Sequence, residues 1–167
     1  MNHSHIGADW GRSNACPKKA RMKSRECGGS FEMRFAGRVA IITGAGSKRG
    51  IGRATALTLA REGADVVVSD VDLSGAEEVA KEIRALGRRA LAIRADVSRA
   101  EDVASLVERA LEEFGRIDIL VNNAGITQPI TVFEITEEDW EKMMAVNLKG
   151  TFLCSKAVLP TMIKQGY

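Results

Sequence analysis

Four glycines stand close together in the segment TGAGSKRGIG: Gly44, Gly46, Gly50 and Gly52. A glycine loop that leads into a helix leaves backbone N–H groups and the positive end of the helix dipole free to face an anion. Glycine also permits a tight turn and the close approach of a ligand to the backbone. These residues predict a pyrophosphate-binding loop, although a glycine pattern alone is weak evidence.

A carboxylate follows at a separation typical of dinucleotide binding. Asp70 directly follows the apolar run Asp65 to Ser69 and lies 18 residues beyond Gly52. In nucleotide-binding βαβ units an acid about 20 residues after the glycines accepts hydrogen bonds from the adenosine ribose. The combination predicts a nucleotide cradle rather than an ordinary strand–loop–helix connection.

Alternating strands and helices must position these groups. Apolar, β-branched runs predict strands at 39–43, 65–69, 90–95 and 117–121. Helical periodicity predicts four helices, which start near residues 50, 74, 98 and 137. This alternation is typical of an α/β fold with a Rossmann-type, doubly wound parallel sheet. Right-handed crossovers then predict the strand order 3-2-1-4.

Local signals mark the ends of these helices. Ser74 with Glu77, and Ser98 with Glu101, predict two capping boxes, and Thr136 predicts the start of the last helix. Gly87 and Gly115 predict where the second and third helices end.

Ligands of such sheets bind beyond the carboxyl ends of the strands. Asp96 lies at the end of the third strand and would either bind an adenine amino group or serve as an acid at the start of the next helix. The sequence Asn122-Asn123-Ala124-Gly125 follows the fourth strand, where two amides suit a turn, a cofactor contact or a clamp between strands.

Asn147 is the unusual residue of the last helix. It shares a helical stripe with Trp140, Met143 and Met144, so the pattern predicts that it is buried. A buried amide needs hydrogen-bond partners. Two interpretations remain open: a satisfied structural amide, or an amide that holds a water or opens the helix beside an active site.

Taken together, these motifs resemble the short-chain dehydrogenase/reductase family over residues 35–167. The resemblance implies hydride transfer between a nicotinamide cofactor and an alcohol or ketone, with Asn147 in a catalytic Asn–Ser–Tyr–Lys group and Asn122 in a structural role. The predicted cofactor-binding residues are Gly44, Ser47, Arg49, Gly50, Ile51, Gly52, Asp70, Asp96, Val97, Asn123, Ala124 and Gly125, and no metal site is predicted.

The sequence departs from the family pattern in two respects. Five residues separate Gly44 from Gly50, where the family motif has three. The family's catalytic Ser and Tyr-x-x-x-Lys have no counterpart, because the one tyrosine is the final residue, Tyr167. We therefore expect an incomplete NAD(P)-binding domain over residues 33–167, truncated after the fourth strand and the long helix, and inactive by itself. The complete parent is expected to be a homo-oligomer.

Two residues make opposite predictions about the nucleotide. Asp70 would accept both ribose hydroxyls and repel a 2′-phosphate, whereas Arg49 resembles a basic position of NADP-preferring family members. A carboxylate close to a phosphate outweighs an exposed arginine. NAD is therefore the favoured cofactor, and NADP is the alternative.

Residues 1–32 differ in composition from the rest. Residues 1–34 carry seven of the 24 basic residues and three of the 22 acidic ones, so the remainder is mildly acidic and argues against a nucleic-acid surface. We expect a disordered segment or a spurious extension before a start at Met33; a basic nucleic-acid arm, a transit peptide and a zinc site are weaker interpretations.

Composition narrows the classes further. No apolar run approaches the length of a membrane span, and the three cysteines have unrelated spacings. A cytoplasmic protein is the simplest expectation from these features. The resemblance to the family, and not the composition, implies a small-molecule alcohol or ketone substrate. The functional alternative is a non-catalytic dinucleotide-binding module.

Overall fold

The computed structural model describes residues 33–167. The predictions for residues 1–32 lie outside the described residues. The elements in chain order are β1 (Val39–Thr43), α1 (Ile51–Arg61), β2 (Asp65–Asp70), α2 (Leu73–Ala85), β3 (Ala90–Arg94), α3 (Ala100–Phe114), β4 (Ile119–Val121), α4 (Glu137–Met144), a π-helical turn (Ala145–Lys149) and α5 (Gly150–Gln165).

The four strands form one parallel sheet in the order β3-β2-β1-β4, which confirms the predicted topology. β1 pairs with β2 along its whole length, from Val39 opposite Asp65 to Thr43 opposite Ser69. On its other side β1 pairs with β4 over three residues, Ala40 to Ile42. The carboxyl ends of all four strands therefore lie at one edge of the sheet.

Helices cover both faces of the two central strands. Ala40 and Ile42 pack in a cluster with side chains of α1 and α2, whereas Ile41 and Val67 pack with side chains of α3 and α5. Every residue of β1 is buried, and so are the four central residues of β2. Burial on both faces explains why these strands appear in the sequence as continuous apolar runs instead of alternating ones.

β4 is shorter than predicted and less buried. Its three residues are all half-buried, and the strand begins at Ile119 instead of residue 117. Ile117 and Asp118 still make backbone contacts, because Ile117 N bonds Gln165 Oε1 and Asp118 N bonds Val39 O. Ile117 and Asp118, the two residues before β4, are thus hydrogen-bonded to the rest of the domain although they are not part of the strand.

Both predicted serine capping boxes are wrong. α2 begins after Asp72, whose carboxylate accepts the N–H of Ser74. α3 begins after Arg99, which caps with no side chain, while Ser98 donates to Asp96. At α2 the aspartate two residues before the serine is itself the helix cap, and at α3 the corresponding aspartate holds a turn before the helix. Short acidic side chains favour both arrangements.

The remaining helix-end signals are confirmed. Thr136 and Asp139 form a reciprocal capping box at the start of α4. Gly115 takes a left-handed conformation at the end of α3, and Gly87 has a positive φ just after α2. These signals succeed because each depends only on residues within one turn of the helix end.

The last predicted helix is three consecutive segments, α4, the π-helical turn and α5. The predicted burial of its stripe is wrong: Trp140 is 53% exposed, Asn147 is exposed, and α4 has no buried residue. Met143 and Met144 of the same stripe are half-buried, so the described residues cover this face only in part. Between residues 33 and 167, no helix combines the length and apolar character needed to cross a bilayer.

Candidate functional site

A cleft of roughly 500 Å³ lies at the carboxyl edge of the sheet. Loops that follow all four strands contribute to it, together with the start of α1 and residues of α4 and the π-helical turn. The predicted residues that line this cleft are Gly44, Ser47, Gly50, Ile51, Asp70, Asp96, Val97, Asn123, Ala124 and Gly125. The fold thus brings most of the predicted set to one place.

Three predicted residues do not line the cleft. Gly52 is buried in α1, where a Cβ would lie 2.5 Å from Asn123 Nδ2 and 2.8 Å from Gly44 O. It is therefore a packing residue that allows α1 to approach the loops. Arg49 is exposed on the glycine loop, and Asn147 bonds the loop after β4.

The glycine loop and the start of α1 form one wall of the cleft. Gly44 has φ +63°, and a Cβ there would lie 2.6 Å from Ala124 Cα, so no larger residue fits. α1 starts after Gly50 without a side-chain cap and without an acidic residue in its first turn. The first N–H groups of an α-helix have no partner within the helix. This uncapped helix end therefore offers free donors and a positive potential.

Asp70 connects the end of β2 to the glycine loop. Its Oδ2 accepts Gly46 N at 2.8 Å, and its Oδ1 accepts Asp72 N at 3.0 Å. A carboxylate has about four acceptor positions, so two remain for further donors. Asp70 thus holds the loop and still has capacity for two ribose hydroxyls, a role that stays a prediction.

Asp96 is engaged in the turn that precedes α3. Its Oδ1 accepts Ser98 N at 2.9 Å and the Ser98 hydroxyl at 2.7 Å. The pKa of Asp96 lies below the usual aspartate range, chiefly because the Ser98 hydroxyl donates to its carboxylate. Asp96 thus bonds the turn before α3 and caps no N–H group of the helix, which begins at Ala100. Asp96 also lines the cleft, and an adenine contact stays a prediction.

The Asn122–Gly125 segment is clamped to β1. Thr43 Oγ1 accepts hydrogen bonds from Asn123 N and Ala124 N, each at 3.1 Å. The same hydroxyl donates to Val121 O at 3.3 Å. Asn123 Nδ2 in turn donates to Thr43 O at 2.9 Å and Gly44 O at 2.8 Å. The sequence left three roles open for this segment: a turn, a cofactor contact or a clamp between strands. The side chain of Asn123 acts as a clamp, because it joins the end of β4 to the end of β1.

Both polar atoms of the Asn147 side chain are hydrogen-bonded despite its exposure. Its Oδ1 accepts Ile126 N and its Nδ2 donates to Ile126 O, both at 2.9 Å. Asn147 lies within the π-helical turn, between α4 and α5. The side chain joins the cleft wall at Ile126 to the last helix, and the predicted catalytic role stays a prediction.

Sequence reasoning missed several residues that line the cleft: Val71, Ala95, Ile126, Lys142 and Val146. Val71 and Ala95 directly adjoin the predicted acids at the strand ends, so adjacency alone could have indicated them. Lys142 and Val146 are four residues apart, and this spacing places them on one helical face. No local signal shows that this face borders the cleft.

The fold and the cleft define a Rossmann-type α/β domain with a ligand site at the strand ends. The family model for short chain dehydrogenases matches residues 38–167. The chain belongs to the short-chain dehydrogenase family.

Individual relatives agree with this assignment. A 3-oxoacyl-[acyl-carrier-protein] reductase of Synechocystis is 48% identical over 76% of this chain and 51% of its own length. A cis-4-hydroxycyclohexanecarboxylate dehydrogenase of Sinomonas cyclohexanicum is 46% identical over 79% and 52%. The crystal structure of a hydroxysteroid dehydrogenase from Escherichia coli superposes with a TM-score of 0.76 and 40% identity, covering 81% of this chain and 56% of that one. The chain spans about half the length of the relatives that it matches.

Proposed function

We propose that the cleft binds NAD(H) and that the chain provides the nucleotide-binding part of an oxidoreductase that interconverts an alcohol and a ketone. The supporting observation is the uncapped start of α1, which faces the same cleft as Asp70. Gly44 and Gly52 sit where a Cβ would overlap neighbouring backbone or side-chain atoms, as a closely packed nucleotide cradle requires.

Different residues of the cleft would contact different parts of the dinucleotide. The N–H groups at the start of α1 would bind the pyrophosphate, and Asp70 would bind the ribose. Val97 and Asp96 would border the adenine, and Asn123 to Gly125 would lie along the remainder of the dinucleotide. When bound, the nicotinamide supplies the hydride acceptor or donor.

The substrate class is supported by the relatives. The three relatives above are named for reactions of keto or hydroxyl compounds of different size. A small-molecule alcohol or ketone is accordingly proposed here as well. We also propose that the complete protein is a homo-oligomer, for which the exposed Trp140 and Phe152 offer an apolar contact surface.

The preference for NAD rests on the charge of Asp70. Its carboxylate would repel the 2′-phosphate of NADP at short range, whereas Arg49 is exposed and its attraction is screened by water. Because Asp70 also holds Gly46, Asp70→Asn is the suitable variant: it removes the charge and keeps one acceptor oxygen.

The test is titration of the 167-residue chain with NADH and NADPH, followed by fluorescence of the reduced nicotinamide. We expect the chain to bind NADH more tightly than NADPH. Asp70→Asn should reduce the difference between the two affinities. A folded chain that binds neither nucleotide contradicts the proposal. Binding of NADH by the chain, together with no oxidoreductase activity in any complete form of the protein, would favour the non-catalytic module.

A further inference from the structure

The middle of the extended glycine loop rests on α2. Gly46 O lies so close to Gly75 of that helix that a Cβ built on Gly75 would overlap this oxygen. The same Cβ would lie 3.0 Å from the carbonyl carbon of Gly46. From the other side, a Cβ on Gly46 would lie 3.0 Å from Ala76 N and equally close to Asp70 Cβ and Cγ. Two glycines on separate elements thus make a direct backbone contact.

Ion pairs flank this contact along the same helix. Lys48 of the loop lies 3.6 Å from Glu78, and Arg53 of α1 pairs with Glu82. Gly75, Glu78 and Glu82 are three and four residues apart, so they share one face of α2. A polar cavity of about 210 Å³ lies between this face and the loop. The loop is therefore supported from outside by α2.

We infer that Gly75 is a positioning residue for the dinucleotide, an inference that rests on the proposed function. Gly75 does not line the cleft. It acts by letting Gly46 approach α2, which in turn allows Gly46 N to reach Asp70 Oδ2 at 2.8 Å. A side chain at position 75 would push the Gly46 carbonyl outward, break that hydrogen bond and displace the N–H groups aimed at the pyrophosphate.

Helix propensity makes the opposite prediction for this position. Alanine is the better helix former, so Gly75→Ala would stabilise an α2 that had no neighbour. Loss of nucleotide binding in this variant would therefore come from the contact with the loop. Ser74→Ala is the matched control, since Ser74 is the adjacent, exposed residue of α2.

The experiment compares the unmodified chain, Gly75→Ala and Ser74→Ala, each at a temperature where circular dichroism shows it folded. ADP-ribose and adenosine are titrated in competition with NADH. We expect Gly75→Ala to weaken ADP-ribose binding by about tenfold or more, because a misplaced binding group is costly. Adenosine has no phosphate, so its affinity should fall less than that of ADP-ribose in Gly75→Ala. Ser74→Ala should bind both ligands with the affinity of the unmodified chain. A purely structural role would lower the melting temperature and leave this ratio unchanged.

Each outcome separates the two proposals. If the unmodified chain binds ADP-ribose and Gly75→Ala binds it equally well, the positioning role is wrong and the proposed function stands. If the unmodified, folded chain binds neither NADH nor ADP-ribose, the proposed function itself fails and the positioning role falls with it. If Gly75→Ala does not fold, Gly46→Ala tests the same contact from the loop: weaker ADP-ribose binding supports the role, and unchanged binding overturns it.

Discussion

Strand β1 has two neighbours, and they are held to it in different ways. On the β2 side, five register pairs run the length of β1, and apolar side chains bury both faces. On the β4 side, only three pairs form, and the residues of β4 are half-buried. Polar groups stabilise this second pair of strands at both of its ends.

At the start of β4 the polar group is Asp118, whose side chain is fully buried. It accepts Val39 N at 2.9 Å, Arg38 Nη1 at 3.0 Å and Arg116 Nε at 2.8 Å. At the end of β4 the corresponding groups are Thr43 and Asn123. Because hydrogen bonds are directional and apolar contacts are not, we expect the clamp of Thr43 and Asn123 to fix the position of the cleft loops, and Asp118 to fix the opposite end of β4. The β2 side should supply most of the stability.

Truncation of the two register partners of Ile41, one on each side of β1, should show the largest difference. Val67 in β2 is fully buried, and Leu120 in β4 is half-buried. We expect Val67→Ala to lower the free energy of unfolding by about 3 kcal/mol and Leu120→Ala by about 1–2 kcal/mol, even though leucine is the larger side chain. Chemical denaturation measures both values. Equal losses would contradict the proposed asymmetry.

Removal of the Asp118 charge should have the next largest effect. Asp118→Asn leaves two arginines without their carboxylate, and we expect a loss of about 2–3 kcal/mol at pH 7. Chemical denaturation of Asp118→Asn measures this loss. Glu108→Gln is the control, because Glu108 is an exposed glutamate of α3 and removal of its charge should change the free energy of unfolding little.

The same residue should affect acid stability. Burial alone would raise the pKa of Asp118, but hydrogen bonds from Arg116, Val39 N and Arg38 outweigh it and hold the pKa below the usual 3.8. Its stabilising contribution is therefore complete above that value and is lost as the pH falls through the folded-state pKa. Stability measured from pH 5 to pH 2 should fall less steeply for Asp118→Asn, and parallel curves would refute this role.

Loss of the Thr43 hydroxyl tests the clamp at the other end of β4. Thr43→Val keeps the shape but leaves Asn123 N and Ala124 N without their acceptor, and we expect a loss of about 2 kcal/mol. Thr58→Val is the control, because that exposed hydroxyl bonds only Ala54 O within its own helix, and should cost less than about 0.5 kcal/mol. Similar values for the two variants would show that the clamp has little energetic weight.

The smallest expected effect on stability is at Asn147. Asn147→Ala removes two exposed hydrogen bonds to Ile126, and we expect a loss of about 1 kcal/mol. Hydrogen exchange should be the more sensitive measurement, with faster exchange of the Ile126 amide in Asn147→Ala. Asn122→Ala, which removes a bond to Ser155, should leave that amide unchanged. Unchanged protection of Ile126 in Asn147→Ala would show that another group holds the loop.

Local and nearest-neighbour patterns were sufficient for the framework of the fold. The apolar runs of β1 and β2, the helical periods and the cap at Thr136 each depend on residues close in sequence, and the strand order follows from general rules of connection. The serine caps failed for a local reason as well, since Asp72 itself caps α2 and Asp96 holds a turn before α3. Most predicted site residues reach one cleft because the ends of parallel strands meet at one edge.

The sequence by itself therefore determined the strands, their order and the edge at which a ligand site forms. Only the tertiary structure decided which faces are covered, as the exposure of Trp140 and Asn147 shows. It also decided that Lys142 borders the cleft and that Gly46 rests on Gly75. The physical reason is the range of the interactions: periodicity and capping act within a few residues, whereas burial and backbone contact depend on which distant elements meet.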